Sequence, residues 1–447
     1  MSPWTNQFTL NYFTLTFPSI YLNSSSLLAR LLLVHLYVIP ISLFLPQEAG
    51  CVLIADELAN ELTFDPGGVF NETLSIVADN FYDPEFDFDL WRQSLEGDFQ
   101  RAAMAKTRVE FSEIMSEVLG TLNSSHTAYL SRLDPKRYQL LGIFHSMFAD
   151  SAEAEFLYAG IGLDTRDDAG THVVVSVFDG FAAQKADIQF GDRILTVDGQ
   201  PFHPILSFAN CAGQDVTIRL RRGSRILDVR TTVEWIDGRQ MFELAMDASV
   251  RKIRLDEGTI GYVHLWSYAG TVFQEKLRSL LLWGELSQCD GVVLDLRDGW
   301  GGADINNLNL FRAPIARIES TSRSLGKQNY TGVWNKPVAI VANERSTSGK
   351  ELFTYGFKKL DLGKVVGTRT AGAVLGGRPF MLSNGDVVYV AVADVLVDGQ
   401  RLEGQGVEPD VDVPRSYNES TTEDPQLDAA VKILQTEISA TLGPRGS

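Results

Sequence analysis

The stretch KPVAIVANERSTSGKE, residues 336–351, continued by LFTYGFKKL, constrains the chain more than any other. Val338 to Ala342 form a short apolar run that reads as a buried strand, and Glu351 to Leu360 carry apolar residues at helical spacing. Ser346, Thr347, Ser348 and Gly349 therefore sit where a strand hands over to a helix N-terminus. A hydroxyl at that point is exposed and flanked by backbone N–H groups without intrahelical partners, which suits a nucleophile. On this stretch alone an ordinary N-cap, where Ser and Thr are preferred, is the better fit, and other stretches must shift that balance.

The flanking sequence repeats this alternation. TIGYVHLWSY reads as a strand, FQEKLRSLLLWGEL as an amphipathic helix, GVVLDLR as a buried strand, and DGWGGADINNLNLF as a Gly-rich turn running into a helix. KVVGTR and the pair MLSNGDVVYVAVADVLVDGQ follow, with turn signals at Asn384-Gly385 and Asp398-Gly399. Such alternation predicts an α/β layered core from about Met241 to Leu434. The glycines from Gly299 to Gly302 have neither GxGxxG nor P-loop spacing, so nucleotide binding has little support.

Upstream the periodicity differs. FNETLSIVADNFY and VEFSEIMSEVLGTL are helical, and the second ends in NSSHTAYL, which places His126 in the turn after a helix beside Ser124 and Ser125. A lone loop histidine is usually solvated surface. The other five histidines have weaker claims to act as a base, so His126 is the candidate. Residues 155–237 form a separate β-rich unit: YAGIGLD, THVVVSVF, GFAAQKADIQFGDRILTVDGQPF, then DVTIRLRR and ILDVRTTVEW.

A net charge of -18 argues against nucleic acid or an anionic membrane surface as partner. Cys51, Cys211 and Cys289 have neither zinc spacing nor a disulfide framework, so no metal or other cofactor is implied. Residues 1–51 read as a leader: Arg30 precedes the apolar run LLLVHLYVIPISLFL, residues 31–45, short for a membrane span and suited to a signal-peptide core. Ala49-Gly50-Cys51 resembles the end of a bacterial lipoprotein cleavage box, with Glu48 where that box usually has Leu. The expectation is export to the cell envelope, periplasmic or lipid-anchored; a start codon assigned too far upstream also fits.

The 155–237 unit resembles a PDZ domain of the kind attached to proteases, on the loop Gly160-Ile161-Gly162-Leu163 and the segment Ala182 to Gly199. In that family a peptide C-terminus adds as a strand and loop N–H groups hold its carboxylate. From about residue 70 to 434 the chain resembles the tail-specific, or C-terminal processing, serine peptidases, on LDLRDGWGGAD, STSGKE and DPQLDAAVKIL as well as the PDZ unit. The resemblance implies a crotonase-like catalytic core at 241–434, a helical lead-in at 52–150, an inserted PDZ domain at 155–237 and a tail at 435–447.

One departure bears on mechanism. The processing branch takes its base from a Thr-x-Gly-Lys segment, but this chain has Thr370-Ala371-Gly372-Ala373. It resembles instead the tricorn-like branch, with Ser125-His126 before the PDZ unit and Glu403 in LEGQGVEPDVDV. The resemblance implies Ser348 as nucleophile, His126 as base, and Glu403 acting on His126 through Ser125. Backbone N–H groups of Gly349 and of Gly301-Gly302 would hold the oxyanion, while Lys350 would point away along the helix. Substrates would be unfolded proteins or C-terminal tails. The alternative is a non-catalytic retinoid- or peptide-binding scaffold on the same fold.

Overall fold

The computed structural model describes residues 62–256, 258–324, 326–416 and 423–442. The expected leader, with Cys51, lies outside them.

The central sheet has six strands in the order Arg251–Leu255, Gly258–His264, Gly291–Asp295, Val338–Ala342, Lys364–Gly367 and Val411–Asp412. All neighbours are parallel except the first pair. Val338–Ala342 is wholly buried, as a parallel strand covered on both faces must be. Its side chains alternate between two cores. Val338, Ile340 and Ala342 pack with Met241, Met246, Phe273, Leu277, Phe353 and Phe357 from three helices, Met241–Ser249, Thr271–Leu282 and Gly349–Lys359. Ala339 and Val341 pack on the opposite face against Ala430, Leu434 and Ile438 of the helix Pro425–Leu442. That last helix runs past residue 434, where the tail was expected to begin, because Ile438, 2% exposed, continues the stripe at four-residue spacing.

The helical lead-in consists of Pro66–Asn80, Phe88–Ser94, Glu96–Ala103 and Arg108–Gly120. Asp65, Asp87 and Thr107 cap three of these by accepting backbone N–H bonds. Their apolar stripes, including Phe70, Val77, Phe111, Met115 and Val118, bury Val388 and Val390 from the strand Val387–Ala393. That strand sits in a second sheet between Ala128–Leu130 and Gly376–Met381. The N-terminal segment that carries His126 is thus stitched to the C-terminal half.

The β-rich unit has its own core, built from Ile161, Val174, Ile194, Val197, Ile218 and Leu220 among others. Its strands Leu163–Asp168, Thr171–Val177, Arg193–Val197, Asp215–Arg222 and Arg225–Thr232 form one antiparallel sheet, and Leu157–Gly160 pairs with Glu234–Asp237 where the chain enters and leaves.

Two expected elements differ. The strand of TIGYVHLWSY stops at His264: Leu265 N–H still donates to Asp295 O at the end of the neighbouring strand, and beyond it Tyr268 N–H turns to Gly301 O of the next loop. The expected helix in INNLNLF is a 3₁₀ helix, Ile305–Phe311, where three weak helix formers, all Asn, favour the tighter local turn that Asp304 caps.

Candidate active site

Gly291–Asp295, Val338–Ala342 and Lys364–Gly367 are adjacent and parallel, so the loops at their C-terminal ends emerge side by side. The first loop is the Gly-rich turn, the second carries Ser348, and the third contains Thr370–Leu375.

Ser348 lies at the start of the helix Gly349–Lys359 with φ 56° and ψ −126°, a conformation sparsely populated by residues other than glycine. What holds it there is Glu351, one helical turn on and fully buried. Its carboxylate accepts from Ser348 N–H at 3.1 Å, Gly372 N–H at 2.7 Å, Ala373 N–H at 2.8 Å and the Thr370 hydroxyl at 2.6 Å. Burial raises the Glu351 pKa, while the four donors oppose that shift. Ser348 N–H also donates to Ala373 O at 2.8 Å, so the loop that holds a lysine in the processing branch here serves as backbone support.

Glycine is required where the first loop meets the second. A Cβ on Gly301 would lie 2.6 Å from Ser348 Cβ, and one on Gly349 would lie 2.3 Å from Ala303 N. Gly302, with φ 93°, packs against Ala269. The three predicted oxyanion residues therefore meet at the nucleophile candidate.

The third loop reaches His126 through Glu403. Glu403 Oε2 accepts from Val374 N–H at 2.7 Å and from the Ser125 hydroxyl at 2.9 Å, and Oε1 accepts from Ser125 N–H at 3.2 Å. Ser125 Oγ lies 2.9 Å from His126 Nδ1. Because the one hydroxyl proton of Ser125 goes to Glu403, Nδ1 carries the imidazole proton and donates it, leaving the Nε2 lone pair free to accept. His126 is half-buried, and burial lowers its pKa below the ordinary 6.5, partly offset by the Glu403 charge. Its position follows from the strand Ala128–Leu130, which pairs with Val387–Tyr389. Behind that strand, fully buried Asp386 accepts from Arg108 at 2.6 Å, Tyr129 at 2.6 Å and Arg132 N–H at 2.9 Å. The His126 ring stands 5.5 Å from Tyr389, which faces Trp300 of the Gly-rich turn at 6.3 Å.

Lys350 departs from expectation. It is fully buried beneath the Gly-rich turn, with Nζ 2.7 Å from Asp298 O and 3.2 Å from Trp266 O. In the β-rich unit Gly160, Ile161, Gly162 and Leu163 are all buried, and Ile161 O and Gly162 O accept from Ala183 and Phe178 N–H. Leu163 borders a cavity of about 640 Å³ that also touches His172, His203 and the helix Arg108–Gly120. The sequence reading missed Tyr389, Thr370 and the buried course of Lys350. A Thr two positions before a glycine and an apolar strand give no signal of such contacts.

Over 420 residues the chain is 23% identical to the tricorn protease of Thermoplasma volcanium, matching 88% of this chain and 38% of that protein. Tricorn protease of Thermoplasma acidophilum is 25% identical over 395 residues, with 83% and 35% matched. The chain thus spans less than half the length of these relatives. A carboxyl-terminal-processing protease of Synechocystis is 23% identical over 373 residues, 80% of this chain and 84% of its own. The crystal structure of the tricorn protease shares the fold, with a TM-score of 0.51 at 21% identity over 84% of this chain and 37% of that one. Residues 259–413, which carry the Gly-rich turn, Ser348 and Glu403, match the family model for peptidase family S41.

Proposed function

We propose that the chain is a serine endopeptidase that hydrolyses peptide bonds in unfolded proteins or flexible C-terminal tails, on a crotonase-like core with an inserted PDZ domain. The observation that carries this reading is the Ser125 hydroxyl bridging Glu403 and His126 Nδ1, at 2.9 Å on each side. That bridge holds the imidazole in the tautomer a base requires. A serine hydroxyl is a weak nucleophile until such a base removes its proton.

In this mechanism Ser348 Oγ attacks the scissile carbonyl while His126 Nε2 takes the hydroxyl proton. His126 then returns that proton to the leaving amine, and a water repeats the sequence to release the acyl group. Glu403 stabilises the imidazolium through Ser125. Backbone N–H groups of Gly349 and of the Gly301-Gly302 turn face the developing oxyanion, where one lost donor costs about 2.7 to 4 kcal/mol. Gly160 to Leu163 recruit or gate the substrate. Being buried, they admit a peptide only if the cavity beside Leu163 opens to it. The apolar run at 31–45 supports action in the cell envelope.

The deciding experiment combines a fluorophosphonate probe with cleavage of casein. Wild type labels and cleaves, whereas Ser348→Ala does neither while keeping its circular dichroism spectrum. Cleavage retained by the variant places the active site elsewhere, and an unlabelled, inactive wild type favours the binding scaffold.

A further inference from the structure

Lys350 is the one ammonium that the site description leaves without a task. It belongs to the first turn of the helix Gly349–Lys359, has no exposed surface and makes no ion pair among those found in the described residues. A buried cation whose hydrogen bonds go to neutral carbonyls is costly, so its place in the fold calls for a physical reason.

The carbonyls it faces belong to the oxyanion turn and its support. Asp298 O is the first carbonyl of that turn, and Asp298 itself is a non-glycine residue at φ 54°. Trp266 O accepts both from Lys350 Nζ and from Trp300 N–H, the latter at 2.9 Å. Gly299 packs so closely on that oxygen that a Cβ would come within 1.8 Å of it. In a planar trans peptide the C=O and the following N–H point in opposite directions. Drawing Asp298 O toward Lys350 therefore fixes the orientation of the Gly299 N–H. The Tyr268 N–H bond to Gly301 O does the same for the Gly302 N–H, a donor in the proposed oxyanion hole.

Resting on the serine peptidase reading above, we infer that Lys350 is a positioning residue: its ammonium anchors residues 298–300 so that the turn's N–H groups meet the oxyanion formed at Ser348. One side chain thus ties the start of the nucleophile's helix to the turn that must stabilise its product. The charged groups around it are Asp298 and Asp295. Arg345 is held on Asp298, Arg297 on Asp295 and Asp424, and Glu351, on the same helix, faces Thr370 to Ala373. Burial lowers the lysine to about 7 against the pull of the two aspartates. A neutral amine makes weaker hydrogen bonds than an ammonium, so raising the pH through that range loosens the anchor.

The test is steady-state kinetics of the full chain on a fluorogenic peptide, beside Ser348→Ala as control. Lys350→Met, which keeps the length and removes the charge, lowers kcat by on the order of 100-fold with KM within about twofold, the cost of a misplaced catalytic group. Lys350→Arg restores part of the rate, and wild-type kcat declines as pH rises above about 7. An unchanged kcat in Lys350→Met overturns the inference. Should that variant fail to fold, a wild-type kcat that stays flat from neutral to alkaline pH overturns it equally. Cleavage persisting in Ser348→Ala overturns the peptidase reading itself, an outcome separate from either of these.

Discussion

Ser348 and His126, on opposite sides of the β-rich insertion in sequence, both hold a left-handed backbone with φ of 56°. Neither is a glycine, and each such conformation costs on the order of 1–3 kcal/mol. Glu351 and Ala373 hold the first in place, and the Glu403–Ser125 bonds adjoin the second. Strain at two residues of the proposed site, sustained by buried and part-buried polar bonds, marks where stability has been given up for geometry.

That trade gives a stability prediction. Ser348→Gly and Ser348→Ala both remove the hydroxyl, but only glycine accepts the backbone without strain. Ser348→Gly is therefore more stable than Ser348→Ala by about 1 kcal/mol, read from urea unfolding midpoints at constant slope. Equal midpoints would show that the turn relaxes around alanine and that the strain is not stored there.

If His126 is the base, as proposed, it sets the acid limb of activity. Burial lowers its pKa below 6.5 and the Glu403 carboxylate opposes that shift, so the neutral base persists to below that pH. Expected is a kcat/KM that rises with pH to an inflection below 6.5, ahead of the decline above about 7 expected from Lys350. Removing the opposing charge in Glu403→Gln moves the inflection lower still. For stability the sign is the same: above about 6.5 both folded and unfolded His126 are neutral, whereas below it the unfolded chain takes up the proton first and stability falls. An inflection above 6.5 would contradict the burial argument.

The relay through Ser125 makes a sharper claim. If Glu403 reaches His126 by way of that hydroxyl, Ser125→Ala and Glu403→Gln each lower kcat by on the order of 100-fold, the scale of general acid–base assistance. The double variant then loses little beyond either single one. Additive losses in a double-mutant cycle would separate the two residues and remove Ser125 from the relay.

How much of this could be read from residue order alone varies by element. The strand Val338–Ala342 and the helix after it were legible because burial on both faces leaves an unbroken apolar run, followed by helical spacing. His126 stood out only as the strongest of six histidines and Glu403 only by family resemblance, since they meet through a strand pairing between residues 128–130 and 387–389 that no local pattern announces. Lys350 was misread for the same reason. A lysine in a first helical turn normally faces water, and only the packing of the Gly-rich loop over that turn encloses it. The Asn-rich segment after the turn failed differently, because its apolar spacing suits a helix while its Asn residues favour a 3₁₀ turn.

The support behind His126 is open to a direct stability test. Arg108 and Asp386 pair at 2.6 Å with side chains 8% and 0% exposed, and Asp386 also holds Tyr129 and Arg132 N–H. Arg108→Ala leaves a buried carboxylate without its counter-charge, which costs about 3–5 kcal/mol. Asp386→Asn with Arg108→Met, which removes both charges, recovers part of that loss. A change under about 1 kcal/mol for Arg108→Ala would mean that Tyr129 and the backbone donors alone carry Asp386.

Gly301 offers the cleanest separation of chemistry from folding. Its missing Cβ is what lets the turn approach the nucleophile: an alanine methyl there would stand 2.6 Å from Ser348 Cβ, 2.6 Å from Thr347 O and 2.9 Å from Gly349 N. None of these neighbours is the far end of a flexible side chain, so relief must come from the backbone, by moving the turn away from Ser348 or by tilting the start of the helix. Either movement misaligns the N–H groups of Gly301, Gly302 and Gly349 with the oxyanion, and the loss of one such donor lowers kcat about 10²- to 10³-fold. Expected for Gly301→Ala is a fall of that size in kcat with KM nearly unchanged. The base is untouched, so the acid limb of the pH profile stays where it is in wild type. Fluorophosphonate labelling slows in parallel, because the probe's phosphoryl oxygen uses the same donors. Full activity in Gly301→Ala would show that the turn lies outside the oxyanion site, and a shifted acid limb would trace the effect to His126 instead.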